Sequence, residues 1–104
     1  MNTSTQTATT PTGLNYVQQI TRDLTTQLPD CDTHLIGFYA LLALTHGQDT
    51  TLEHVHDAWA LWRISTRPDH PDLILFDQLT PEVQELDRPY MQAIHQAAAR
   101  VAAA

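Results

Sequence analysis

Leu14, Val17, Ile20, Leu24 and Leu28 follow one another at steps of 3, 3, 4 and 4, the rhythm that lays apolar side chains along one face of a helix. Pro29 closes that stripe, and Thr12 stands where its N-cap is expected. Asp32 is placed to cap a second helix, in which Leu35, Ile36, Phe38, Tyr39, Leu41, Leu42 and Leu44 point in nearly every direction. A helix apolar all round belongs at the centre, with the others packed on it, and Gly47 is placed to end it in a left-handed turn. Thr50 with Glu53 three residues later has the form of a capping box. The third helix it predicts carries Leu52, Val55, Trp59 and Trp62 on one side and frays near Ser65, ahead of Arg67-Pro68.

Pro68 and Pro71 forbid a helix through the next stretch, and the apolar run Leu73 to Phe76 is too short to form one. An extended connector laid over the core is expected there. Thr80 then caps and Pro81 takes the first helical position, where its missing N–H does no harm. Val83, Leu86, Tyr90, Ile94, Ala97 and Val101 mark a long final helix. Pro89 lies inside it and removes the hydrogen bond to the Glu85 carbonyl, which predicts a kink or a break into two helices. The alanine-rich end is expected to fray. Together these elements predict an all-α fold, a compact bundle of four helices with an extended Pro-containing connector before the last. Residues 1–13, rich in Thr and Ser, read as a flexible tail and residues 14–104 as a single helical domain.

A chain of 104 residues holds one core. Its 5 cations, all Arg, against 12 carboxylates leave a net charge of −7. General nucleic-acid binding and anionic membrane surfaces are disfavoured, because both draw affinity from clustered Lys and Arg. From Asp23 to Trp62 the chain has acidic residues and no Arg. Arg63, Arg67 and Arg88 follow, around the connector. Cys31 is the only cysteine, so no intrachain disulfide forms. Met1 to Gly13 has neither the basic nor the apolar segment of a signal peptide. A cytoplasmic protein is expected, and the absence of Lys fits a GC-rich actinobacterial or phage genome.

Catalytic chemistry finds little support. His54 and His56 sit two apart on a helix and point about 200° from each other, and the other His residues have no ligand-like spacing to them or to Cys31. No metal and no cofactor are expected. Asp30 and Asp32 flank Cys31 and raise its thiol pKa. Three glycines leave no phosphate-cradling loop. Trp59 and Trp62 on one helix, followed by Arg63, have the composition of a stacking platform for a flat ligand, although the same spacing serves a core. Arg88 after Asp87 is placed either to pair with an acid or to cap a connector carbonyl.

The run Val55-His56-Asp57-Ala58-Trp59, then His70-Pro71-Asp72-Leu73-Ile74-Leu75-Phe76, then Pro81-Glu82 and Leu86-Asp87-Arg88 resembles the ryanodine-receptor repeat domain over about residues 52–97. That module occurs in calcium-release channels and as small bacterial and phage proteins. The resemblance implies a helical module without catalytic machinery, one similar to ligand-sensing or protein-contact units, with nucleotide-type ligands proposed for some members. Trp59, His70, Pro71, Phe76, Asp87 and Arg88 would be its signature residues. The Gly-Trp-x-Tyr-Gly segment usual in that family is replaced here by Ile64 to Asp69 alone, which counts against nucleotide binding.

The expectation for function is therefore a non-enzymatic binding module. Its ligand-binding residues would be Trp59, Trp62, Arg63, Arg67, His70 and Arg88, contacting a partner protein or a small nucleotide-like ligand. The alternative is a structural role as a small homo-oligomer, joined through an exposed apolar stripe of the last helix.

Overall fold

The computed structural model describes residues 13–103. Five helices follow in order: α1 Tyr16–Gln27, α2 Thr33–Thr45, α3 Leu52–Thr66, the short α4 Pro81–Glu85 and α5 Arg88–Ala103. Single 3-10 turns lie at Gly47–Asp49 and Phe76–Gln78, and no strand occurs among the described residues. The chain is all-α, a bundle of the four longer helices.

Asn15, not Thr12, caps α1, and Thr12 lies outside the described residues. The Asn15 side chain accepts the Gln18 backbone N–H at 2.8 Å, and the Gln18 side chain accepts the Asn15 N–H at 3.1 Å. Two donors at the helix start are satisfied reciprocally. Ile20 and Leu24 carry the stripe into the core, while Val17 stays exposed.

Asp32 caps α2 as expected, accepting the His34 N–H at 2.8 Å. Gly47 ends it with a φ of 57°, a conformation that costs glycine little. The helix is central and touches α1, α3 and α5. It is not buried all round, because three neighbours leave part of its circumference uncovered and Leu41 remains 55% exposed there.

The expected capping box shifts by one residue. Thr50 is buried, and its hydroxyl donates to the Gly47 carbonyl at 2.8 Å, closing the turn. Thr51 therefore caps α3, accepting the His54 N–H at 3.2 Å, while His54 Nδ1 accepts the Thr51 N–H at 3.0 Å. The imidazole nitrogen takes the part assigned to Glu53. His95 Nε2 on α5 donates to the Thr50 carbonyl at 2.7 Å and ties this corner to the last helix.

Thr80 and Pro81 open α4 as predicted, the Thr80 hydroxyl accepting the Val83 N–H at 3.3 Å. The final helical stretch breaks at Leu86-Asp87. Pro89 explains the break, since it offers no N–H to the Glu85 carbonyl. Leu86 is left exposed at the break, off the buried stripe. Ala93, Ile94 and Ala97 of α5 face the core, so the apolar stripe expected to join copies of the chain is already covered. The alanine-rich end does not fray but stays helical to Ala103. Alanine has the best helix propensity, and Arg100 near that end pairs with Asp23 on α1. Gln27 of α1 also donates to the Ala93 carbonyl at 3.4 Å, so α1 and α5 run antiparallel. No helix among the described residues is long and apolar enough to cross a membrane.

Leu24 is fully buried, whereas Leu61 is exposed. Leu24→Ala is expected to lower the unfolding free energy by about 2–5 kcal/mol and Leu61→Ala by less than about 0.5 kcal/mol, read from denaturant midpoints. Similar losses for both would mean that the helices pack differently.

Candidate functional site

Residues 67–80, between α3 and α4, belong to no helix except at the Phe76–Gln78 turn. Their buried polar backbone atoms must find partners outside any regular ladder, and side chains supply them. His56 on α3, only 3% exposed, donates from Nε2 to the Ile74 carbonyl at 2.7 Å. Since a carbonyl only accepts, that nitrogen carries the proton. The Gln84 side chain of α4 donates to the Phe76 carbonyl at 2.9 Å. Within the strap, His70 Nδ1 accepts the Asp72 N–H at 3.0 Å. Trp59 then receives His70 edge-on, with ring centres 5.0 Å apart, and stacks on His56 at 5.6 Å. The strap is thus clasped between the Trp-bearing helix and α4.

A groove of about 490 Å³ opens beside this clasp, within the size range of small-ligand sites. Its floor is Tyr39 of α2, 1% exposed, with the Tyr90 ring 5.7 Å away. Trp59 and Trp62 form one wall, and Asp30, Asp32, Asp72 and Asp87 border it from three elements. Arg63 is the one Arg among the groove's lining residues. Its guanidinium carbon lies 4.5 Å from the centre of the Trp62 ring and 5.9 Å from that of Trp59. One end of Arg63 donates to the Thr66 hydroxyl at 3.2 Å, while its buried Nε has no acceptor among the described residues.

Of the residues expected to form a site, Trp59, Trp62, Arg63 and His70 come together. Arg67 and Arg88 do not. Arg67 Nε faces Asp69 at 3.8 Å on the surface. Arg88 donates to both carboxylate oxygens of Glu85, at 2.6 and 3.0 Å. Successive residues at a helix start diverge by about 100°, so turning Asp87 toward the groove turns Arg88 away. Tyr39 and the acids Asp30, Asp32, Asp72 and Asp87 line the groove without being among the expected site residues. The one signal for Tyr39 is a hydroxyl-bearing ring among the apolar residues of α2.

The groups differ in charge state. Burial pushes the Asp87 carboxyl up to about 6, helped by Asp72 and opposed by His56, and it has no ion-pair or hydrogen-bond partner among the described residues. The Cys31 thiol is raised, first by burial and then by Asp32, which keeps it protonated and a poor nucleophile. Asp32 is held low, chiefly by the His34 backbone N–H, with the Trp62 indole N–H also contributing. Burial raises the Tyr39 phenol, so it stays a neutral hydroxyl. No three His, Cys, Asp or Glu side chains converge as a metal site requires, among the described residues. His54, turned away from His56, instead stacks on His46 with ring centres 4.0 Å apart.

The raised Asp87 pKa fixes the sign of a stability effect. An acid whose folded pKa lies above its unfolded value of 3.8 favours the fold when protonated, and that advantage is lost as pH rises through about 6. Asp87→Asn is therefore expected to raise the melting temperature at pH 8 and to leave it nearly unchanged at pH 4. An equal effect at the two pH values would show that Asp87 is not held in this half-buried place.

A search of curated proteins and one of solved structures found no match to this chain. The model of one family, described as Domain of unknown function (DUF7701), matches residues 15–99. That match runs from the Asn15 cap of α1 to the last turns of α5 and takes in the strap and the whole groove, and the chain belongs to this family.

Proposed function

We propose that this protein is a non-enzymatic cytoplasmic binding module whose groove beside the strap receives a segment of a partner protein. One observation carries the reading. Two half-buried indoles frame a groove bordered by the Asp87 carboxyl and the Tyr39 hydroxyl, and in its wall the buried Arg63 Nε–H has no acceptor among the described residues. Buried polar groups are normally satisfied, and a bound segment can supply their partners while its side chains cover the tryptophans, the residue type richest in interface hot spots.

The resemblance to ryanodine-receptor repeats also allows a nucleotide-like ligand, but the charge of the groove favours the protein partner. Four carboxylates line it against one guanidinium, which repels a polyphosphate. The two further arginines expected among the ligand-binding residues are paired with Asp69 and Glu85 outside it.

A second reading, a small homo-oligomer, is favoured by a different surface. On the far side of the strap, Leu61 and Ile64 of α3 stand beside Ile74 and Leu75, the last 71% exposed. Clustered apolar side chains of this kind mark contact surfaces. Light scattering of the wild type and of Leu75→Glu separates the readings, since an oligomer through this patch becomes monomeric in the variant.

Panning a random-peptide library against the protein tests the leading reading. Peptides are expected to emerge that bind the wild type and lose at least about tenfold in affinity to Trp62→Ala, the loss of one hot-spot side chain. Calorimetry with ATP, GTP and cyclic dinucleotides is expected to give no heat. Nucleotide binding together with no Trp62-dependent peptide would overturn the proposal.

A further inference from the structure

The acids of the groove come from separate elements: Asp30 and Asp32 from the loop and cap before α2, Asp72 from the strap and Asp87 from the break before α5. Four such charges are gathered around a few hundred cubic ångströms although like charges repel. Three of them, Asp30, Asp72 and Asp87, have no cation at ion-pair distance among the described residues, and Asp32 meets only His34 at 3.6 Å. The Arg that lines the groove, Arg63, sits over the Trp62 ring and bonds Thr66 rather than any of these acids. Charge complementarity calls for a cation from outside.

Two further observations narrow its kind. Tyr39 is almost wholly buried, yet it borders the groove, and its hydroxyl has no hydrogen-bond partner among the described residues. Asp87 borders the same groove, so a hydroxyl and a carboxylate without hydrogen-bond partners among the described residues face one cavity. The wall is aromatic, and Arg63 shows that a guanidinium lies comfortably on one of its indoles, at 4.5 Å from the ring centre. A planar, weakly hydrated group with several N–H donors suits this combination better than a compact, strongly hydrated ammonium. It can bond a carboxylate in two places while its face rests on an aromatic ring.

We propose that the groove recognises an arginine side chain of the partner protein, with Asp87 as counter-charge, the Tyr39 hydroxyl as a second acceptor and the Trp59/Trp62 wall as aromatic surface. This rests on the reading of the groove as a protein-docking site and names what it grips.

The test uses capped single amino acids, N-acetylated and N-methylamidated, with the indole N–H resonances of Trp59 and Trp62 as readout. Capped arginine is expected to shift both resonances saturably, in the millimolar range usual for one side chain. Capped lysine should bind several-fold more weakly. Capped citrulline, which keeps the shape and loses the charge, should bind at least about tenfold more weakly, the loss of a charge-assisted bond. Asp87→Asn is expected to weaken capped arginine by a similar factor, and Tyr39→Phe by less, in proteins whose remaining resonances stay dispersed. Equal binding of citrulline and arginine overturns the inference, and that comparison needs no variant to fold. If groove-dependent peptides emerge from the library without arginine and capped arginine leaves the indoles unmoved, the docking site stands and its arginine specificity falls. If neither peptides nor capped arginine engage the groove, both fall together.

Discussion

The hydrogen bond from His56 to the Ile74 carbonyl holds the strap in place, and the groove depends on the strap. A segment with two prolines cannot satisfy its own backbone in a helix, and it has no neighbouring strand to pair with. Each carbonyl pressed against the core costs free energy unless a side chain reaches it. His56 and Gln84 do so from two different helices, and the strap is pinned at Ile74 and Phe76. Trp59 then lies against both His56 and His70. One buried imidazole therefore fixes the strap, the orientation of an indole and one side of the cavity.

The break between α4 and α5 supplies the other side. Had the chain continued as one helix through Leu86 and Asp87, the direction of Asp87 would have followed the helical repeat of Val83 and Tyr90. Pro89 interrupts the helix there, yet Asp87 still lies on the groove with Val83 and Tyr90, four and three residues away, while Arg88 turns to the surface. The cost shows in the raised carboxyl of Asp87. A half-buried acid with no internal partner among the described residues weakens the fold when it ionises.

Most of the architecture could be read from the sequence. Apolar spacing located every long helix, Asp32, Thr80 and Pro81 marked two helix starts, and Gly47 and Pro89 marked an end and a break. The errors were local. The spacing of Thr50 to Glu53 fits a cap, whereas burial turns the Thr50 hydroxyl to the Gly47 carbonyl and hands the cap to Thr51. Thr12 fits the usual cap by type as well as Asn15 does, and only the reciprocal bonds with Gln18 single out Asn15. In the site, the indoles, Arg63 and His70 were found through their chemistry and spacing. Arg67 and Arg88 lie outside the groove because a charge near an aromatic cluster in sequence need not face it. Which way a side chain points just after a helix break depends on packing, and no periodicity encodes it.

The antiparallel pairing of α1 with α5 has a practical corollary. Asp23 meets Arg100 and Gln27 meets Ala93, so the start of α1 and the end of α5 sit at one pole of the bundle. The groove lies at the other, where α1 stops and α5 begins. A tether fixed beside Tyr16 or Ala103 would hold the molecule by its back and leave the cavity facing outward. Joining those two positions by a short linker and opening the chain elsewhere would give a circular permutant with the same core.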